Sequence, residues 1–200
     1  GLPGIVLGIT GKDEDISILT SGVSNITTSA PMVPDALFEI GSLSKSFTAI
    51  SLLRLAEQGV LDIYQPVSEL LPIFQVPVCG EPITTHHLLS HTAGITSGTD
   101  MRTDGQYEVY ALRHTRPGCP PGVRYHYCNV GYRALGLLAE KLYQQPYAQI
   151  IREQFFVPLG MKASHPQITN KLRQAITPGY TDLYDDRPNP SGRPLVEAPW

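Results

Sequence analysis

Residues 41–47 read Gly-Ser-Leu-Ser-Lys-Ser-Phe and open a strongly apolar stretch. Ser42 and Lys45 stand at positions i and i+3. On a helix that spacing shares a face, so the lysine amine can reach the serine hydroxyl. A serine hydroxyl is a weak nucleophile until a base takes its proton. A lysine serves as that base only when neutral, which requires burial or a nearby positive potential to draw its pKa below the ordinary value of about 10.4. A helix start supplies such a potential, and its backbone N–H groups can also face a developing oxyanion. One short motif thus holds a nucleophile, a base and part of the charge stabilisation for acyl transfer. A plainer alternative exists. Serine is a favoured helix N-cap and Ser-x-x-Lys arises readily by chance, so the motif alone reads more simply as a cap. Leu43 and Phe47 weigh against this, because they predict that this helix face is buried, where a lysine needs a partner or a task.

A second constellation lies far along the chain. The stretch "PPGVRYHYCNVGY" (120–132) carries Tyr127-x-Asn129 just ahead of an expected helix. A tyrosine at a loop–helix junction can pass protons, and a neighbouring asparagine offers an amide donor and an acceptor. Taken alone, Tyr-x-Asn reads more simply as a packed aromatic followed by an Asn cap, and the two roles need not exclude each other. Tyr107, Tyr110 and Tyr125 either line a substrate cleft or pack. Cys128 reads as a small filler, because nothing near it in the sequence would activate a thiolate.

The elements that must position these groups can be outlined. "GIVLGIT" (4–10) and "ISILTSGVSN" (16–25) predict a β-hairpin, with "GKDED" as a solvated turn that includes Asp13, Glu14 and Asp15. From Ser42 to about Gly59, Leu43, Phe47, Ile50 and Leu53 recur at helical spacing, and Gly59 supplies a stop. "TTHHLLSHTAGI" (84–95) predicts a short helix ended by Gly94. Residues 96–124 are polar, contain Gly and Pro, and read as irregular. Two helices are expected over 129–145 and 147–156. The final "DDRPNPSGRPLVEAPW" carries four prolines and no clear closing element. There are no internal repeats. A two-stranded hairpin is marginal alone, so it is expected to belong to a larger sheet whose other strands lie outside this chain.

The bulk properties narrow the function classes. With 200 residues, 42% hydrophobic, the chain can build a core. A formal charge of −3 gives no electrostatic case for a nucleic-acid partner or an anionic membrane. No apolar run approaches the ~20 residues of a membrane span. "GLPGIVLGIT" has neither a basic start nor a cleavage site, and no Met precedes it, so the start reads as a processed or chosen boundary. Cys79, Cys119 and Cys128 are odd in number and match no common zinc spacing. They leave the compartment unknown, with a secreted or periplasmic location open. His87 and His91 stand at i and i+4, a spacing that can bind zinc, but the Glu of H-E-x-x-H and a third ligand are missing. A loop-organising role for His91 is the better reading. The Gly-x-Ser-x-Gly elbow is absent.

In order along the chain, several stretches resemble the serine β-lactamase and penicillin-binding protein superfamily. The likeness is to the branch of class C β-lactamases, D-amino-acid peptidases and related esterases. "FEIGSLSKSFTAISLLRLAEQGVLDIYQPVSELLP" is similar to that branch's nucleophile helix and the segment after it. "PITTHHLLSHTAGI" is similar to its "LLxHTSG" loop, with Ala93 in place of the serine. "PPGVRYHYCNVGYRALGLLAEKL" resembles its Tyr-x-Asn motif and following helix, "FFVPLGM" its helix exit, and "GLPGIVLGIT" its first core strand. The resemblance covers about residues 1–162. It implies an α/β (α+β sandwich) fold of the β-lactamase/transpeptidase type with a helical lobe. It also implies a serine hydrolase working through an acyl-enzyme, with no metal and no cofactor. Ser42 would be the acylated nucleophile, and Lys45, jointly with Tyr127, would take its proton. Tyr127 would also protonate the leaving group and help activate the deacylating water. Asn129 would bind the substrate's carbonyl or amide, and the Ser42 N–H would form half of the oxyanion hole.

One part of the family pattern is absent. No lysine is followed by Thr-Gly, and no histidine has Gly two places on. In the family that motif lies on a core strand that also gives the second oxyanion N–H. The resemblance therefore implies an incomplete domain over 1–200, with hairpin and nucleophile helix in 1–59 and helical lobe in 60–200. The C-terminal strands and helix would come in cis or as a second chain. Losing one oxyanion donor costs ~10²–10³ in rate, so the isolated chain is expected to be weakly active or inactive. The substrate is expected to be a small molecule or peptide: an ester, a D-amino-acid peptide or a β-lactam, with esterase or peptidase activity favoured. The alternative is a penicillin- or peptidoglycan-binding sensor that acylates without turnover.

Overall fold

The computed structural model describes residues 2–12, 15–78, 80–96, 104–181 and 189–190. Asp13, Glu14 and Cys79 lie outside the described residues, as does most of the Pro-rich end. Contacts divide the chain into two compact units, one drawn from Gly1–Ile40 and Ile168–Glu197 and the other from Gly41–Gln167. This grouping puts the hairpin and the helix that follows Ser42 in different units.

The first unit holds the expected hairpin. Strands β1 (Gly4–Ile9) and β2 (Ser17–Asn25) pair antiparallel from Gly4 opposite Gly22 to Ile9 opposite Ser17. Strand β3 (Ala30–Pro31) pairs on the other edge of β2. Ile5, Leu7, Ile9, Ile18 and Leu19 on the hairpin are exposed in this chain. Later residues join this unit through Thr177, whose N–H donates to the Leu37 carbonyl at 2.8 Å, and Tyr180, whose hydroxyl accepts from the Ile26 N–H at 3.0 Å. A two-residue ladder between β4 (Tyr180–Thr181) and β5 (Asn189–Pro190) adds strand pairing where the sequence pattern showed none.

The second unit is helical. A 3₁₀ turn over Gly41–Leu43 leads into α1 (Ser44–Glu57), so the α-helix starts two residues later than the sequence pattern predicts. Gly59, with φ of 72°, ends it in the left-handed conformation, and the Val60 N–H closes on the Leu55 carbonyl at 2.9 Å. The buried face of α1 differs from the expected one. Leu43, Ile50 and Leu53 are exposed, and Thr48, Ser51, Leu52 and Leu55 are buried. The reason is two satisfied hydroxyls. Thr48 Oγ1 shares a hydrogen bond of 2.7 Å with the Tyr147 hydroxyl, and Ser51 Oγ donates to the Thr48 carbonyl at 2.8 Å. Polar residues so paired can sit in a core, and they disguise the buried stripe.

Short helices α2 (Val67–Leu70) and α3 (Thr85–Leu89) follow. Helix α3 begins with a reciprocal cap. The His87 N–H donates to Thr84 Oγ1 at 3.3 Å, and the Thr84 N–H donates to His87 Nδ1 at 3.2 Å. Within the stretch expected to be irregular lies α4 (Gly105–Ala111), capped by Asp104, whose carboxylate accepts from the Gln106 N–H at 3.0 Å. Its pattern was hidden because its buried residues are Gly105, Glu108 and Val109, only one of them a large apolar residue. Glu108 is tolerated there through an ion pair with Arg133 at 2.7 Å. The long α5 (Asn129–Tyr143) and α6 (Tyr147–Ile151) match the expected helices, α6 continuing as a π turn over Arg152–Phe156. A last short helix, α7, spans Asn170–Arg173. Leu52 of α1, Leu135 and Leu138 of α5 and Ile150 of α6 are fully buried in one cluster with Phe74 and Leu88. Each such side chain contributes roughly 1.5–3 kcal/mol by leaving water. Among the described residues no helix is long and apolar enough to cross a membrane.

Candidate active site

Ser42 and Lys45 meet across the junction of the 3₁₀ turn and α1, where an i, i+3 pair shares one face. Ser42 sits inside that turn and Lys45 is the second residue of α1. Lys45 Nζ donates to Ser42 Oγ at 3.1 Å. Helix α1 is held where it is by its buried hydroxyls, by Phe47 set edge-on to Phe155 and Phe156 at 5.3 and 5.6 Å, and by Tyr143, whose hydroxyl donates to the Ser51 carbonyl at 3.0 Å.

The distant phenol arrives on the extended segment before α5. Tyr127 OH and Ser42 Oγ share a hydrogen bond of 2.5 Å. Lys45 Nζ lies 4.8 Å from the Tyr127 ring centroid and 5.6 Å from that of Tyr132. The structure thus brings Ser42, Lys45 and Tyr127 together, with Ser42 exposed and Tyr127 43% exposed. Asn129 is half-buried at the first position of α5. It is not the cap. That position belongs to Cys128, in extended conformation.

A seam of hydrogen bonds joins the loop after α3 to the segment that carries Tyr127. The Gly118 N–H donates to the Gly94 carbonyl at 2.9 Å, the Gly122 N–H to Thr92 at 2.8 Å and the His126 N–H to His91 at 2.8 Å. Gly94 is required there. Its φ is 74°, and a Cβ would stand 2.1 Å from the Cys119 carbonyl oxygen. His91 adds a side-chain bond, its Nδ1 accepting from the Cys128 N–H at 3.1 Å. This is the loop-organising arrangement expected of it.

Burial first, and the neighbouring Lys45 second, push the His91 pKa down. Burial pushes the Cys128 thiol up, against hydrogen bonds from the Gly131 and Val130 backbones and the charge of Lys45, so it stays a thiol at neutral pH. Burial, then Tyr127 and Tyr125, raise the pKa of Tyr132. Tyr132 is the site neighbour that the sequence reading missed. Its position three after Asn129 on the same helix was the available signal. His87 is occupied by the α3 cap and His86 stacks on Tyr64 at 5.3 Å. Among the described residues no group of three or more His, Cys, Asp or Glu side chains is placed to hold a metal.

Two solved structures share this architecture. One is an octameric penicillin-binding protein homologue from Pyrococcus abyssi, with a TM-score of 0.78 and 27% identity over 97% of this chain and 48% of that one. The other is a D-amino acid amidase from Ochrobactrum anthropi SV3, with a TM-score of 0.77 and 28% identity over 93% of this chain and 53% of that one. The fold is therefore that of β-lactamases and transpeptidases. Penicillin-binding protein 4 of Amycolatopsis lactamdurans is 30% identical over 98% of this chain and 57% of its own length. The beta-lactamase family model matches residues 1–198, and the chain belongs to that family and with it to the serine hydrolases. It spans about half the length of the relatives described here.

Proposed function

We propose that Ser42 is the nucleophile of an acyl-transferring serine hydrolase, with Lys45 and Tyr127 acting as one proton-handling pair. The observation that carries this reading is a single oxygen with two partners: Ser42 Oγ lies 3.1 Å from Lys45 Nζ and 2.5 Å from Tyr127 OH. Ser42 Oγ bonds to the substrate's carbonyl carbon as its proton passes to the Lys45–Tyr127 pair. The bond to the leaving nitrogen or oxygen then breaks, and the leaving group takes that proton, delivered by Tyr127. Water next attacks the ester on Ser42, giving a proton to the pair, which passes it to Ser42 Oγ as the ester bond breaks, so that a carboxylic acid leaves and the free hydroxyl is restored. The Ser42 N–H supplies one oxyanion donor, and Asn129, at the mouth of α5, binds the substrate's carbonyl or amide. The proton is assigned to the pair because both groups stand against the same serine oxygen.

The substrate class is an ester or an amide, with D-amino-acid derivatives favoured over specialised β-lactam hydrolysis. The likeness to a D-amino acid amidase supports this. The 30% identity to a penicillin-binding protein supports a second reading, a sensor that acylates and holds the adduct. The test is long incubation with a nitrophenyl ester, a D-amino-acid amide and a fluorescent penicillin, following product release and intact mass. Release of nitrophenol or ammonia supports the hydrolase, and a lasting adduct without release supports the sensor. Neither adduct nor release from a folded protein that also carries the family's C-terminal strands contradicts both.

A further inference from the structure

We propose that His91 is the positioning residue of this site: in its neutral form it holds the segment that carries Tyr127 at hydrogen-bonding distance from Ser42. The inference rests on the proposed function above, and it concerns a side chain that touches none of the reacting atoms.

Four contacts converge on this residue. Its carbonyl accepts the His126 N–H at 2.8 Å, and its Nδ1 accepts the Cys128 N–H at 3.1 Å. These bonds bracket Tyr127 on both sides in the chain, so the phenol between them has its backbone pinned twice to one residue. The imidazole also lies against the tyrosine itself, with ring centroids 4.6 Å apart, and against Tyr132 of α5 at 4.9 Å. To make these contacts His91 adopts φ of 57°, a left-handed conformation that costs energy for a side chain of this kind. The backbone strain, the ring packing and the two hydrogen bonds serve one placement.

The chemistry makes the placement dependent on protonation. Nδ1 can accept a hydrogen bond only if it carries no proton, so the neutral ring must hold its proton on Nε2. Protonation adds hydrogen to Nδ1, opposite the Cys128 N–H, and that bond is lost. It also puts a second cation beside Lys45 of α1. The other ionisable groups facing the ring are Tyr125 and Tyr127 from the loop before α5, Cys128, and Tyr132 from α5. Burial raises the pKa of Cys128 and of Tyr132, so neither offers the imidazolium a compensating charge near neutral pH. His126 follows Tyr125, and His87 lies one turn back on the same segment as His91. Burial and Lys45 hold the His91 pKa below 6.5. The neutral form therefore prevails at neutral pH, and the hold on Tyr127 weakens as pH falls through that depressed value.

The test pairs nuclear magnetic resonance with acylation kinetics on the whole chain. The resonance arm needs no activity. The expected results are the Nε2–H tautomer near neutral pH, with Cys128 amide and Tyr127 ring signals following the acid titration of His91. Two variants serve the kinetic arm. His91→Gly tolerates the left-handed backbone and removes the ring, and misplacement of this order slows acylation by about 10²-fold. His91→Asn also tolerates that backbone, and its side-chain oxygen can accept from the Cys128 N–H in place of Nδ1. It is expected to restore acylation to within a few-fold of the parent and to remove the acid limb attributable to His91 from the rate profile. Finding the Nδ1–H tautomer, or Tyr127 signals indifferent to the His91 titration, overturns the inference. So does a His91→Asn protein as slow as His91→Gly, or one that keeps the acid limb unchanged. If the parent forms no adduct even with the family's C-terminal strands supplied, the proposed function fails, and the resonance arm still decides whether His91 positions Tyr127.

Discussion

Ser42 Oγ lies within hydrogen-bonding distance of an amine and a phenol, and each partner can be removed separately. Tyr127→Phe deletes the hydroxyl that stands 2.5 Å from the serine oxygen while keeping the ring against His91. Proton transfer by a positioned side chain is worth about 10²–10⁴-fold, so acylation of Ser42 should slow by that order while the thermal midpoint stays near that of the parent. Stopped-flow or mass-resolved adduct formation reads the rate, and a Tyr127→Phe protein that acylates at the parent rate would remove the phenol from the mechanism. The buried Cys128 next door, its thiol pushed up by burial, is expected to contribute packing and a backbone N–H rather than reactivity.

At the scale of elements, the site depends on how α1 is docked. Thr48→Val keeps the shape of the side chain but leaves the buried Tyr147 hydroxyl without its 2.7 Å partner. Leaving such a group unsatisfied costs about 1–3 kcal/mol, which denaturant unfolding should show as a lower midpoint, and an unchanged midpoint would mean that the bond contributes nothing. The same pair of hydroxyls marks where the sequence was hard to read. Gly59, the hairpin, α5 and α6 were legible because their signals are local: a glycine stop, β-branched runs, an apolar stripe. The buried face of α1 was not, because Thr48 and Ser51 lie inside it as satisfied polar groups, and α4 was not, because its inward face includes Gly105 and a paired Glu108. The meeting of Ser42 and Lys45 was legible from spacing alone. The 3₁₀ turn that carries Ser42 was not. Tyr127 could be singled out by residue type and by resemblance, but its approach depends on the seam between residues 91–94 and 118–128, which no local pattern encodes.

At the scale of the whole molecule, the three groups of the proposed site all lie in the helical unit, whose core includes Leu52, Leu88, Leu135, Leu138 and Ile150. The chain belongs to the beta-lactamase family and spans about half the length of the relatives described here, so site chemistry is tested more directly by where a covalent label lands than by how fast a product appears. Ser44 and Ser46 lie two and four residues from Ser42 in the same stretch and serve as internal controls. The decisive measurement is peptide mapping after exposure to a fluorescent penicillin and to an activated ester. Label is expected on Ser42, lost in Ser42→Ala and strongly slowed in Tyr127→Phe. Label on Ser44, Ser46 or elsewhere with Ser42 unmodified would contradict it.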